Sequence, residues 1–123
     1  NVFMLYMENN DEPIAMSYIK KMNHINTEDT EYKSPTWFNS VKPKYRMTRI
    51  KKGKNIRLSH LMGLLVLVQA EYKGIKKVFA RGRSNNKAVN NYLQTLNFKK
   101  TGRIWKMTKK NSSFDDIEYE ISI

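Results

Sequence analysis

The chain has 123 residues and a net charge of +12, with 40% hydrophobic residues and no cysteine. That length supports one domain with a single core, and the apolar content is that of a folded chain rather than a disordered one. The missing cysteine excludes a disulfide framework and thiolate metal sites and fits an intracellular, cytoplasmic setting, while the longest apolar run, Leu64 to Val68, is far too short to span a membrane. The charge is unevenly placed: from Val41 to Ser113 there are 20 Lys or Arg against one acid, Glu71. Such a field favours polyanionic partners, namely nucleic acid, an anionic cofactor or an acidic protein surface. An AT-rich coding bias towards Lys, Asn and Ile explains part of the same excess.

In chain order, Asn1–Met7 and Ile14–Met22 read as two strands around the turn formers Asn9, Asn10, Asp11 and Pro13, a β-hairpin. The chain opens directly in a strand-like run, which leads us to expect further sequence upstream of Asn1. Residues Asn23–Pro43 are polar, carry Pro35 and Pro43, and read as a long loop with Trp37 and Phe38 either anchoring it to the core or lining a cleft. Lys44–Lys51 alternates as a strand. A basic loop with Lys51, Lys52, Lys54 and Arg57 follows and leads into a helix from Leu58 to Lys73. That helix is apolar on nearly every face, which predicts packing on several sides. Its exposed first amides among cations form an anion site.

Gly74 suits a left-handed helix stop, and Lys76–Arg81 is a short strand. Strand, helix and strand make a βαβ unit with a parallel pair. Ser84–Asn86 supplies N-cap chemistry for a helix over Lys87–Leu96, which Asn97 ends. Phe98–Lys109 and Ile117–Ile123 are strands around the polar turn Asn111–Asp116. The expected class is α/β, in the order β-β-β-α-β-α-β-β, with a mixed sheet.

This order, and the stretch from Gly74 to Trp105 (GIKKVFARGRSNNKAVNNYLQTLNFKKTGRIW), resemble the GNAT superfamily of acyl-CoA-dependent N-acetyltransferases. The resemblance runs through nearly the whole chain as a single GNAT-like domain over residues 1–123. It places the usual first strand and first two helices upstream of Asn1. It implies a mixed, mostly antiparallel sheet, acetyl-CoA as cosubstrate, an amine acceptor and no metal. The family seats the pantetheine arm between two splayed strands and the pyrophosphate on a loop at the start of a helix. Carried over, the cofactor-binding residues are Arg49, Ile50, Lys54, Asn55, Ile56, Arg57, Leu58, Ser59 and Asn86. Lys54 matches the basic position of that loop and Ser59 its last small one, while Arg57 stands where the family has glycine. Leu93 occupies the position of the family's thiolate-protonating tyrosine, and Tyr92, one residue earlier, is the candidate catalytic acid, with packing as its alternative role.

His60 on the buried helix reads as a structural residue or a proton relay, and no carboxylate lies on either strand of the βαβ unit to serve as base. Two distant histidines without cysteine offer no metal site. The rival reading is a catalytically degenerate GNAT-fold protein, of phage or viral type, that binds nucleic acid or an acidic protein. Its Lys and Arg interleave with Tyr45, Phe79, Tyr92, Phe98 and Trp105 as phosphate contacts and stacking rings would.

Overall fold

The hairpin at the start turns on two residues with positive φ, Asn10 at 50° and Asp11 at 64°. Asn and Asp tolerate that region better than other side chains, and two such residues match the twist of the strands they join. In a computed structural model, which describes residues 3–23, 33–46, 57–109 and 112–123, this hairpin joins β1 (Phe3–Asn9) to β2 (Glu12–Asn23). Then come β3 (Lys33–Val41), a 3-10 turn (Pro43–Tyr45), α1 (Leu58–Tyr72), β4 (Lys77–Arg83), α2 (Lys87–Thr95), β5 (Lys99–Lys109) and β6 (Ser112–Ser122). These strands form one sheet in the order β1-β2-β3-β4-β6-β5. Every neighbouring pair is antiparallel except β3 and β4, which are parallel. The α/β class, the order of elements and the mixed, mostly antiparallel sheet agree with the sequence.

Three expectations are corrected. The segment read as a polar loop contains β3, a central strand. Pro35 argues against a central strand because it lacks an N–H. It is tolerated because β3 meets β4 only at Thr36, so Pro35 is registered with Lys21 of β2 alone. The strand expected over Lys44–Lys51 is not there as such: Lys44 and Tyr45 belong to the 3-10 turn, and 47–51 lie outside the described residues. The parallel partner of β4 is therefore β3. The turn expected over Asn111–Asp116 is also shorter, since β6 already begins at Ser112.

Both helices end as the sequence predicts. Gly74 (φ 79°) closes α1, with Ile75 N–H donating to Ala70 O at 2.9 Å and Gly74 N–H to Glu71 O at 3.0 Å. Asn97 (φ 69°) closes α2 in the same way, with Phe98 N–H on Leu93 O and Asn97 N–H on Gln94 O, both 3.0 Å. These are Schellman stops, and each delivers an apolar residue, Ile75 or Phe98, back to the core.

The helices pack on the sheet face that presents Ile19, Trp37, Val78, Ala80 and Tyr119. Val66, Leu67 and Ala70 of α1 and Leu93 and Leu96 of α2 complete that core. A second cluster, Ala15, Val41, Leu58 and Met62, fastens the first turn of α1 to the ends of β2 and β3. The expectation that α1 is covered on several sides is not met. Leu64, Val68 and Tyr72 are 52%, 60% and 87% exposed, so only one face of the helix is buried. The helix reads as apolar all round because its outward face is apolar too.

Gly63 marks the closest approach of α1 to its neighbours. A methyl group there would lie 2.6 Å from Tyr92 Oη, 2.9 Å from Leu96 Cδ1 and 3.2 Å from Trp37 Cη2. Alanine gains roughly 0.5–1 kcal/mol of helix propensity over glycine, but overpacking costs typically ~1–3 kcal/mol. We expect Gly63→Ala to be net destabilising, by about 1–2 kcal/mol, in urea denaturation. Equal or higher stability would show that α1 and α2 lie further apart.

Candidate functional site

The parallel pair β3 and β4 is joined at one register position, Thr36 opposite Phe79. Beyond it each strand keeps its other neighbour: β3 stays on β2 as far as Val41, and β4 stays on β6 as far as Arg83. The two strands therefore part towards their C-terminal ends, and the sheet opens there as a V. Leu58 packs with Val41 and Ala15, so α1 starts at the open end of β3.

The first turn of α1 is built to receive an anion. Arg57, in extended conformation (φ −87°, ψ 159°), is its N-cap and makes no side-chain capping bond. The amides of His60 and Leu61 both go to Arg57 O, at 3.0 and 3.3 Å. Those of Leu58 and Ser59 come before the first intrahelical bond, and no acid sits in the turn. Helix-start amides, at the positive end of a 15-residue helix, attract negative charge. The nearby Lys42 and Lys44 are engaged elsewhere, on Glu12 at 3.4 and 2.9 Å.

The start of α2 faces the other arm of the V. Asn86 caps it, its Oδ1 accepting from Val89 N–H at 3.1 Å. Asn90 Nδ2 donates to Arg83 O at 2.8 Å and to Asn86 O at 2.7 Å, while Asn90 Oδ1 accepts from the Tyr119 hydroxyl. These bonds fix α2 to the end of β4 and to β6.

Tyr92 ties the two helices together. Its hydroxyl donates to Ser59 O, in the first turn of α1, and Asn39 of β3 lies beside the phenol. His60 meets the ring edge-on, with centroids 4.9 Å apart, and Trp37 lies 5.8 Å away. Burial pushes the Tyr92 phenol far above its ordinary value of 10.0, with the Asn39 contact opposing only in part.

Hydrogen-bond roles follow from the donors available. Thr95 Oγ1 gives its hydrogen to Tyr92 O at 2.7 Å, so it accepts from His60 Nε2 at 3.3 Å, and neutral His60 carries its proton on Nε2. The buried His60 Nδ1 is left as an acceptor with no partner among the described residues, and Asn39 Oδ1 is in the same condition.

Of the residues singled out from the sequence, Leu58, Ser59 and Tyr92 come together, with Arg57 at the same helix start. Asn86 is the N-cap of α2, its side chain occupied by Val89 N–H. Arg49, Ile50, Lys54, Asn55 and Ile56 lie outside the described residues. The parallel neighbour of β4 among the described residues is β3. Asn39 was missed. Its signal is the alternation Trp37, Asn39, Val41, which puts it on the face of the buried tryptophan. Among the described residues no group of His, Cys, Asp or Glu is placed to hold a metal, and no helix is long and apolar enough to cross a membrane.

No protein-family model and no curated protein sequence matches the chain. Solved structures do. An N-acetyltransferase from Staphylococcus aureus aligns at TM-score 0.70 and 19% identity, over 97% of this chain and 66% of that one. An acetyltransferase of the GNAT family from Streptococcus pneumoniae aligns at TM-score 0.70 and 15% identity, over 98% and 66%. A Salmonella typhimurium protein assigned as an acetyltransferase, solved with its cofactor acetyl-CoA, aligns at TM-score 0.71 and 17% identity, over 97% and 63%. The chain thus has the GNAT fold and spans about two thirds of the length of these structures.

The raised Tyr92 pKa gives a pH dependence with a definite sign. The folded phenol keeps its proton where an unfolded one, near 10.0, loses it. The stabilisation is therefore complete below pH 10 and is lost as pH rises past it. Tyr92→Phe should remove roughly 1–3 kcal/mol of stability at neutral pH, by deleting the bond to Ser59 O and leaving that part-buried acceptor without its phenol donor. It should also flatten the decline above pH 10, both read by denaturant unfolding. An unchanged slope would place the tyrosine in solvent.

Proposed function

We propose that the chain is an acyl-CoA-dependent N-acetyltransferase that moves an acetyl group to an amine. The observation that carries the reading is the V between β3 and β4 with the first turn of α1 at its open end. A long, thin cofactor with an anionic head fits such a slot. Its amide-bearing arm has a strand edge to lie against, and its pyrophosphate has the amides of Leu58 and Ser59. The GNAT fold and the acetyl-CoA held by the Salmonella neighbour support the same assignment.

In this reading Lys54, Asn55, Ile56, Arg57, Leu58 and Ser59 form the pyrophosphate seat. Arg57 contributes a guanidinium where the family has glycine and compensates by charge for a less intimate backbone approach. Asn86 shapes the seat indirectly by capping α2, and the strand role carried over to Arg49 and Ile50 passes to β3. The thioester supplies an activated acetyl group. The amine nitrogen bonds to the acetyl carbon, the carbon–sulfur bond breaks, the nitrogen loses a proton and the thiolate takes one up.

Tyr92 acts as a positioning residue. Its hydrogen is engaged on Ser59 O, and its raised pKa makes the phenolate a poor product of proton donation. It holds the anion seat at a fixed height against α2. The acceptor amine binds across the V from this machinery.

Calorimetric titration with acetyl-CoA tests the reading. The wild type should bind, and Arg57→Glu should weaken binding at least about ten-fold by adding an anion and removing a cation at the seat. Its circular dichroism should stay unchanged. Absence of binding to the wild type at high micromolar ligand would sink the enzyme assignment. Full affinity in Arg57→Glu would move the pyrophosphate away from α1.

A further inference from the structure

Asn39 leaves one polar atom of the core unsatisfied. Its Oδ1 is buried and accepts no hydrogen bond from any described residue. Buried carbonyl oxygens are nearly always satisfied, so an acceptor held in place without a donor points to a group still to arrive.

Place and chemistry identify that group. Asn39 lies three residues past the one contact between β3 and β4, on the arm of the V. Tyr92, whose phenol lies beside Asn39, reaches the first turn of α1 at Ser59 O. Phosphate oxygens offer no hydrogen to an acceptor, and neither does a thioester. An amide N–H does, and the pantetheine arm carries two of them between its phosphate and its sulfur, with a single hydroxyl at the phosphate end as its other donor. From the orphaned acceptor and its position we infer that Asn39 Oδ1 accepts a hydrogen bond from a pantetheine amide N–H, so that this side chain reads the arm of the cofactor and sets its depth in the V. The inference rests on the acyl-CoA reading given above.

The test deletes the donor from the ligand rather than the acceptor alone. Acetyl-CoA and two analogues, each with one pantetheine amide replaced by an ester, are titrated against the wild type, Asn39→Ala and the size-matched Asn39→Leu. One analogue should bind the wild type about ten-fold more weakly than acetyl-CoA, and that difference should vanish in both variants. Analogues that bind the wild type as well as acetyl-CoA does would overturn the inference and leave water as the partner of Oδ1. A penalty that persists in the variants would also overturn it and assign the bond to a backbone carbonyl. Both results leave acyl-CoA binding intact, whereas failure of acetyl-CoA itself to bind the wild type removes the functional reading and this inference together. Should Asn39→Ala not fold, the size-matched Asn39→Leu carries the comparison, and a missing penalty in the wild type overturns the proposal by itself.

Discussion

The indole of Trp37 is the contact on which the arrangement of the sheet and both helices depends. Its N–H donates to Ser17 Oγ at 2.6 Å, across to β2. Its ring stacks on Phe98 at 5.7 Å and meets Tyr92 at 5.8 Å. It also reaches the surface of α1 left open by Gly63. One side chain thus touches the middle of the sheet, the start of β5 and both helices. A buried aromatic of this size typically contributes ~3–5 kcal/mol against truncation, and its single polar atom is satisfied. Beyond Thr36, β3 stays bonded to β2 and β4 to β6 while the two make no further pairs with each other, so the opening between them is a feature of the sheet itself.

A pre-formed slot changes what the surrounding polar groups have to do. The bonds from Asn90 to Arg83 and Tyr119 secure one wall, and the Tyr92–Ser59 bond secures the other. Both walls are held by side chains of α2, so a nine-residue helix governs the width of the slot. Holding donors and acceptors rigidly where charge or amide groups will lie avoids the ordering cost of assembling them on binding. The exchange of glycine for Arg57 fits this picture. A seat whose height is fixed by Tyr92 can use a long cationic side chain to reach a phosphate that the backbone approaches less closely.

How far the sequence disclosed all this differs from element to element. The helix stops were legible because Gly74 and Asn97 are the residues a left-handed backbone selects. The hairpin turn was legible for the same reason, at Asn10 and Asp11. Strand β3 was hidden. Its Pro35, Thr36, Asn39 and Ser40 look like a loop, and the pairing that tolerates Pro35 is a tertiary fact. The outward face of α1 misled in the opposite direction, since Leu64, Val68 and Tyr72 suggest burial that does not occur. In the site, Arg57, Leu58 and Ser59 follow from the helix start alone. Tyr92 could be named from its place one residue before the motif's tyrosine position, but its bond to Ser59 O depends on how two helices approach. Asn39 shares the face of Trp37 by alternation, but that signal depends on seeing β3 as a strand, and its unsatisfied oxygen depends on the assembled core.

The account stands or falls on a cofactor lying in the V with its anionic head on α1. Backbone amide resonances of a 15N-labelled chain, followed as acetyl-CoA is added, report this most directly. The account predicts the largest shifts at Leu58 and Ser59, with smaller ones along β3 around Asn39. Resonances there that stay fixed while others move, or a spectrum that does not change, would contradict it.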